Sequence, residues 1–128
     1  MSGHVLIVDD DAALRESIAN LLTDEGYSIE HAGDGVSALA AVEGRQPDAI
    51  LLDFLMPNMN GREFLATLRR HPRAANVPVL VMTAVSGIES RNRPPFGAND
   101  IVEKPFDVEE LLNKVALAIY RSRNRAKH

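Results

Sequence analysis

Five polar side chains stand where short apolar runs of the sequence end. They are Asp9, Asp10, Asp53, Thr83 and Lys104. If the runs form a parallel sheet, all five side chains converge at one edge, where three carboxylates repel one another unless a cation or a proton lies between them. Mg²⁺ suits such a set, because one or two carboxylates, a backbone carbonyl and several waters satisfy it. A metal, an ammonium, a hydroxyl and a nucleophilic carboxylate are the groups needed to receive a phosphoryl group.

Asp53 follows an unbroken apolar run, residues 49–52, which Pro47 and Pro57 bound. A run this short and this apolar indicates a strand buried on both faces, as in parallel sheets. Asp53 would then lie at the carboxyl end of the strand, where open α/β sheets place their ligand sites. On this stretch alone, an aspartate that merely caps a turn explains the residue equally well. A structural charge cluster explains any one of the five polar residues, but it does not explain all five at strand ends.

The elements that must position these residues alternate along the chain. Strands are predicted at 4–8, 28–32, 49–52, 79–82 and 101–102, and helices at 13–25, 36–43, 62–70 and from Asp107 onward. Such alternation predicts a parallel sheet with helices on both faces. The adjacent prolines Pro94 and Pro95 cannot stand inside a regular helix, so the fourth helix is predicted to be irregular, short or displaced.

Composition excludes several classes of protein. At 128 residues, with 45% apolar and 25% charged residues, the chain is expected to fold as one domain with a substantial core. A formal net charge of −4 argues against a nucleic-acid surface spread over the whole domain. No cysteine is present, which excludes disulfides, thiolate metal sites and cysteine nucleophiles.

The two ends of the chain carry separate expectations. The apolar run 5–8 is too short for the core of a signal peptide, and no window approaches membrane-spanning length, so a cytoplasmic location without membrane contact is expected. We predict a folded domain over 1–121 and a basic polar tail or linker stub over 122–128. For that tail, a solvated helix end or a linker is preferred to a nucleic-acid contact.

Four spaced motifs resemble those of one family. They are Val8-Asp9-Asp10-Asp11, Asp53 with Met56-Pro57 and Asn60-Gly61 behind it, Thr83-Ala84, and Lys104-Pro105-Phe106. In this order, and spread over residues 4 to about 121, they are similar to the receiver domain of two-component response regulators. The resemblance implies a flavodoxin-like (βα)5 fold, a doubly wound five-stranded parallel sheet of strand order 2-1-3-4-5.

The resemblance also assigns roles to the residues that match. Asp53 resembles the phosphoacceptor that takes a phosphoryl group from a histidine kinase or a histidine phosphotransfer protein. Asp10 resembles the main Mg²⁺ ligand and Asp9 the residue that holds the water shell of the metal, while Asp53 itself and the backbone carbonyl of Leu55 complete the protein ligands.

Thr83 and Lys104 match the hydroxyl and the ammonium that bind the phosphoryl oxygens after transfer. Phosphorylation would attract both residues and move their loops between two packings. The chain departs from the family at Ile101, a switch position where an aromatic residue is usual. The coupling of that residue to Thr83 is therefore expected to differ, whereas phosphoacceptance is expected to be retained.

Other functions compete with this one. The chain could be the N-terminal receiver of a DNA-binding transcriptional regulator, with the output domain after residue 128. An aspartate-nucleophile phosphatase of the haloacid dehalogenase type needs a second aspartate where Leu55 stands, so no enzyme of this kind is expected. A pseudo-receiver that only binds a partner is disfavoured by the complete set of polar residues. The output partner and a homodimer formed on phosphorylation stay open.

Overall fold

Strands and helices alternate along the computed structural model, which describes residues 3–54, 56, 59–83, 98–104 and 106–126. The strands are β1 (Gly3–Val8), β2 (Tyr27–Ala32), β3 (Ala49–Asp53), β4 (Val79–Thr83) and β5 (Asp100–Glu103). The helices are α1 (Ala12–Asp24), α2 (Gly35–Gly44), α3 (Gly61–Arg70) and α4 (Val108–Ala126). No helix within these residues is long and apolar enough to cross a membrane.

The five strands form one parallel sheet of order β2-β1-β3-β4-β5. This confirms the predicted strand order and the doubly wound, flavodoxin-like arrangement. The irregular fourth helix that the adjacent prolines predict falls between β4 and β5, on residues outside the described ranges. The helix labelled α4 is therefore the one predicted from Asp107 onward.

Successive residues of a strand point to opposite faces, and here both faces are covered. On one face, helices α2 and α3 pack against alternate strand residues, among them Leu6, Val8, Ile50, Leu52, Val79 and Val81. On the other face, α1 and α4 pack against the intervening residues, among them Val5, Ile7, Leu51, Leu80, Met82 and Val102. Burial on both faces explains why β1, β3 and β4 contain unbroken apolar runs, whereas β2 at the border of the sheet is partly exposed and keeps polar residues.

Short polar side chains fix where the helices begin. The Asp11 Oδ1 atom accepts a hydrogen bond from the Leu14 amide at 3.1 Å, as the sequence predicts for a cap of α1. Asn60 accepts hydrogen bonds from two amides of the first turn of α3. Gly26, with a φ of 98°, makes the left-handed turn after α1.

Helix α4 continues past the predicted end of the domain. It runs to Ala126, so most of the segment 122–128 is helical. Arg123 Nη2 lies 3.8 Å from Asp48 Oδ2, which in turn accepts a hydrogen bond from the His4 amide at 2.7 Å. The division of the chain at residue 121 stays a prediction.

A matched pair of glycine substitutions tests the packing beside the end of β3. A Cβ atom added to Gly61 would lie 2.6 Å from Phe54 Cδ1 and 2.8 Å from the Phe54 carbonyl oxygen. We expect Gly61→Ala to lower the free energy of unfolding by about 1–3 kcal/mol, because the backbone beside Asp53 must shift.

Gly44→Ala is the control, since an added Cβ there meets no atom within 4 Å. It should leave stability unchanged or raise it by up to about 1 kcal/mol through better helix propensity. Urea denaturation of both variants measures the difference, and equal stabilities would contradict the close approach at Gly61.

Candidate functional site

The parallel register brings the carboxyl ends of four strands to one edge of the sheet. Val8 of β1 lies beside Leu52 of β3, and Asp53 lies beside Met82 of β4. Thr83 at the end of β4 lies beside Glu103 of β5. The residues that end or follow these strands therefore share one edge, as the alternation of elements predicts.

Three carboxylates meet at this edge. Asp9, Asp10 and Asp53 each offer one oxygen, and the three atoms lie within 4.8 Å of one another. Asp9 is fully buried and Asp53 is 7% exposed, whereas Asp10 is exposed. Two buried carboxylates beside a third are costly unless a positive charge lies among them.

Lys104 supplies one such charge. Its Nζ atom lies 3.5 Å from Asp9 Oδ2 and 3.7 Å from Asp53 Oδ1, so the ammonium bridges the two buried carboxylates. Its amide donates a hydrogen bond to the Thr83 carbonyl oxygen at 2.7 Å, which fixes the backbone of Lys104 against β4. One ammonium does not balance three carboxylates, so the cluster favours a further positive charge.

Asp9 shows the strain of this arrangement most clearly. Burial raises the pKa of its carboxyl above the ordinary value, and the neighbouring Asp53 carboxylate raises it further. The Asp11 amide, which donates to Asp9 Oδ1 at 2.9 Å, and the Lys104 ammonium act in the opposite direction and lower it. The raising effects are the larger, so the pKa of Asp9 lies above that of an aspartate in water.

A divalent cation fits these residues. The buried Asp9 Oδ2 atom accepts no hydrogen bond from the described part of the chain, although Lys104 stands nearby. An unsatisfied buried oxygen is rare in folded proteins. The carboxylates of Asp9, Asp10 and Asp53 together make an all-oxygen donor set of the kind that hard cations bind.

Interatomic distances show that the structure brings together four of the five residues predicted from the sequence. They are Asp9, Asp10, Asp53 and Lys104. Thr83 stands at the same edge, buried at the end of β4. Leu55, the predicted carbonyl ligand, lies outside the described residues. Ile101 lies in β5 with 8% of its surface exposed, and its carbonyl accepts a hydrogen bond from Lys114 Nζ at 2.6 Å.

The sequence pattern gives little sign of two residues that support the site. Arg15 looks like an ordinary polar residue of an amphipathic helix, yet its Nη1 atom donates to the Asp9 carbonyl oxygen at 2.5 Å. Gly61 belongs to a recognisable Asn-Gly turn, but its close approach to Phe54, the neighbour of Asp53, follows only from tertiary packing.

Two cavities lie at the other edge of the sheet, where the strands begin. One, of about 150 Å³, is lined by residues that include Pro78, Asn99 and Lys114. The second, of about 240 Å³, is lined by residues that include Asp48 and Arg123. Neither is lined by a residue of the carboxylate cluster, which sits at the open carboxyl edge.

The family model and the curated relatives that match this chain both belong to response regulators. A family model described as the response regulator receiver domain matches residues 5–116. Response regulator MprA of Mycobacterium bovis is 40% identical over 124 residues, which are 96% of this chain and 53% of MprA. The chain thus spans about half the length of the curated relatives it matches.

Solved structures match along nearly the whole chain. The chemotaxis response regulator CheY4 of Vibrio cholerae has a TM-score of 0.83 and 33% identity, and the match covers 92% of this chain and 99% of CheY4. NtrX of Brucella abortus has a TM-score of 0.89 and 29% identity, over 99% of this chain and 29% of NtrX.

The raised pKa of Asp9 predicts how stability depends on pH when no cation is present. The folded state holds the Asp9 proton more tightly than the unfolded chain does, so stability falls as the pH rises through the range between the two pKa values. Asn at this position keeps an oxygen for the Asp11 amide and carries no charge. We therefore expect Asp9→Asn to have a higher Tm than wild type at pH 7, with the difference vanishing near about pH 3.

Thermal unfolding in a chelator measures this difference, with Glu16→Gln on the exposed surface of α1 as the control. The control should change stability by less than about 0.5 kcal/mol at either pH. A lower Tm for Asp9→Asn at pH 7 would contradict the repulsion that the structure indicates.

Proposed function

Since the chain belongs to the response regulator receiver domain family, we propose that Asp53 accepts a phosphoryl group from a histidine kinase or a histidine phosphotransfer protein, with Mg²⁺ as cofactor. Receiver domains interact with histidine kinases and with output domains in two-component systems. The observation that carries the proposal is the convergence of three carboxylates and one ammonium at the carboxyl edge of the sheet.

The surroundings of the three carboxylates support different roles. Asp9 is fully buried, so its carboxylate offers no exposed surface to an incoming phosphorus atom. Asp10 is exposed, and no ion pair between it and Lys104 is formed within the described residues. Asp53 ends the central strand, keeps 7% of its surface exposed and lies 3.7 Å from the Lys104 ammonium. It is thus the carboxylate with both access and a cation beside it.

Asp10 and Asp53 would hold the cation through one oxygen each, and the Asp9 carboxylate beside them would hold its water shell. When bound, Mg²⁺ would neutralise charge on the phosphoryl oxygens and help to orient the phosphoryl group for attack by Asp53. The Leu55 carbonyl, as a further ligand, and the assignment of the water shell to Asp9 belong to this proposal as well.

The transfer step balances with the groups present. A carboxylate oxygen of Asp53 attacks phosphorus, the new O–P bond forms, and the P–N bond of the donor phosphohistidine breaks with its electron pair left on the imidazole. The Lys104 ammonium and the Thr83 hydroxyl stabilise negative charge on the transferred oxygens. No proton needs to leave Asp53, because its carboxylate is already the nucleophile.

The charge change then drives the signal. A phosphoryl group adds roughly −1.5 to −2 charges at Asp53. Lys104, which in this structure lies between Asp9 and Asp53, gains a stronger partner there, and its loop moves with it. The output passes to a partner or to an attached domain, and the action is signalling rather than turnover of a substrate.

The second candidate is a receiver joined to an output domain in a longer protein. The chain spans about half the length of response regulator MprA and a smaller share of NtrX. A receiver that begins a longer regulator, such as a DNA-binding one, would carry the same phosphoacceptor site.

Incubation with acetyl phosphate and Mg²⁺ tests the acceptor role by intact mass. Wild type should gain one phosphoryl group, and a chelator should prevent the gain. Asp53→Asn, which is close to isosteric, should gain none. Asp48→Asn makes the same chemical change at the opposite edge of the sheet and should gain one group, as wild type does.

Two results would contradict the proposal. One is a phosphoryl gain in Asp53→Asn equal to that of wild type, which would place the acceptor elsewhere. The other is no gain in wild type when calorimetry shows that Mg²⁺ is bound, which would indicate a cation site without phosphoacceptance and favour a receiver that only binds partners.

A further inference from the structure

Arg15 reaches from α1 back to the loop that carries two of the three clustered carboxylates. Its Nη1 atom donates to the Asp9 carbonyl oxygen at 2.5 Å. That oxygen belongs to the peptide group that joins Asp9 to Asp10. The plane of this peptide group sets the directions in which both carboxylates leave the backbone.

The guanidinium of Arg15 makes this contact although one of its other donors stays unpaired. Its Nε atom is buried and has no hydrogen-bond partner within the described part of the chain. Buried donors are nearly always paired, and an unpaired one calls for an explanation. Here the position of the guanidinium lets Nη1 donate to the Asp9 carbonyl oxygen and leaves Nε unpaired.

Other hydrogen bonds fix the backbone on either side of the Asp9 carbonyl. The Asp9 amide donates to the Ala32 carbonyl oxygen at 3.0 Å, and the Asp11 amide donates to Asp9 Oδ1 at 2.9 Å. The Asp9 carbonyl is the remaining polar group of that residue's backbone, and Arg15 binds it. The guanidinium lies beside Gly33, where an added Cβ would be 3.4 Å from Nη1, in van der Waals contact.

We propose that Arg15 is a positioning residue of the cation site. It holds the Asp9–Asp10 peptide so that the two carboxylates converge on one ion. This inference rests on the proposed function, because it takes the carboxylate cluster to be the Mg²⁺ site. It adds a residue that touches neither the cation nor the phosphoryl group and acts through the backbone.

The direction in which Mg²⁺ affinity changes when Arg15 is replaced distinguishes this role from a purely electrostatic one. If Arg15 acted only by its charge, replacing it with a neutral side chain would strengthen Mg²⁺ binding, because a positive charge near the cation would be gone. If Arg15 orients the ligands, the same replacement weakens binding, as losses of groups that orient metal ligands do. The two effects oppose each other, so the direction of the change identifies the larger.

Calorimetric titration of the chain with Mg²⁺ makes the measurement. We expect the Kd of Arg15→Met to rise by about tenfold or more. Arg15→Lys retains a charge and one donor that can reach the carbonyl, so its Kd should fall between those of Arg15→Met and wild type. Arg73→Met removes the same charge from an exposed position in the loop before β4 and should leave the Kd unchanged.

A second variant guards against a folding defect in Arg15→Met. Gly33→Val keeps the guanidinium and its charge, but it adds two methyl groups to a Cβ that would already contact Nη1, so we expect it to displace the guanidinium and also raise the Kd. Tm values in a chelator show whether each variant is folded at the titration temperature. A role confined to folding would lower Tm and leave the Kd of the folded protein at the wild-type value.

The outcomes distinguish this inference from the proposed function. A Kd for folded Arg15→Met or Gly33→Val that equals or falls below that of wild type overturns the positioning role alone. A wild-type protein that binds no Mg²⁺ overturns the proposed function and the positioning role together.

Discussion

Mutual repulsion among three carboxylates is the constraint on which the functional edge of this protein depends. Asp9, Asp10 and Asp53 have oxygens within 4.8 Å of one another, and two of the residues are buried. Free side chains would move apart or bind a proton. They stay together because each one is attached to a strand end or a loop that the sheet holds in place.

The rigid sheet prevents the carboxylates from moving apart, so their repulsion persists in the folded state. Strands β3 and β4 are buried along their whole length, so the backbone at Asp53 and Thr83 has little freedom to relax. The charge imbalance is met in part by Lys104, which spans Asp9 and Asp53. A bound cation would relieve the imbalance further. The phosphoryl group that we propose at Asp53 would instead add negative charge and attract Lys104, and this attraction would drive the change of conformation.

Much of this could be predicted from the sequence because the relevant patterns are local. Unbroken apolar runs reveal strands buried on both faces, and a parallel sheet necessarily brings their carboxyl ends together. The strand order came from the resemblance of the spaced motifs to a family, since alternation of elements alone does not fix which strands are neighbours. The cap at Asp11 was predictable for the same local reason, namely that its side chain bonds an amide three residues on.

The features that the sequence did not indicate depend on contacts between distant or folded-back segments. Arg15 occupies a normal helix position, and its partner, a backbone carbonyl, has no signature in the side-chain pattern. Gly61 reads as a turn residue, while the structure shows that it also lets the ring and carbonyl of Phe54 approach. Helix α4 continues to Ala126, beyond the predicted end of the domain, and its Arg123 lies beside Asp48, an ion pair between residues far apart in sequence.

We propose that, of the three adjacent carboxylates, Asp53 alone receives the phosphoryl group. Borohydride reduces an acyl phosphate to an alcohol and leaves free carboxylates intact, so it marks the acceptor chemically. The protein would be treated with acetyl phosphate and Mg²⁺, reduced, digested and sequenced by tandem mass spectrometry. We expect homoserine at position 53 and unmodified aspartate at positions 9 and 10. Homoserine at position 9 or 10, with aspartate intact at 53, would contradict it.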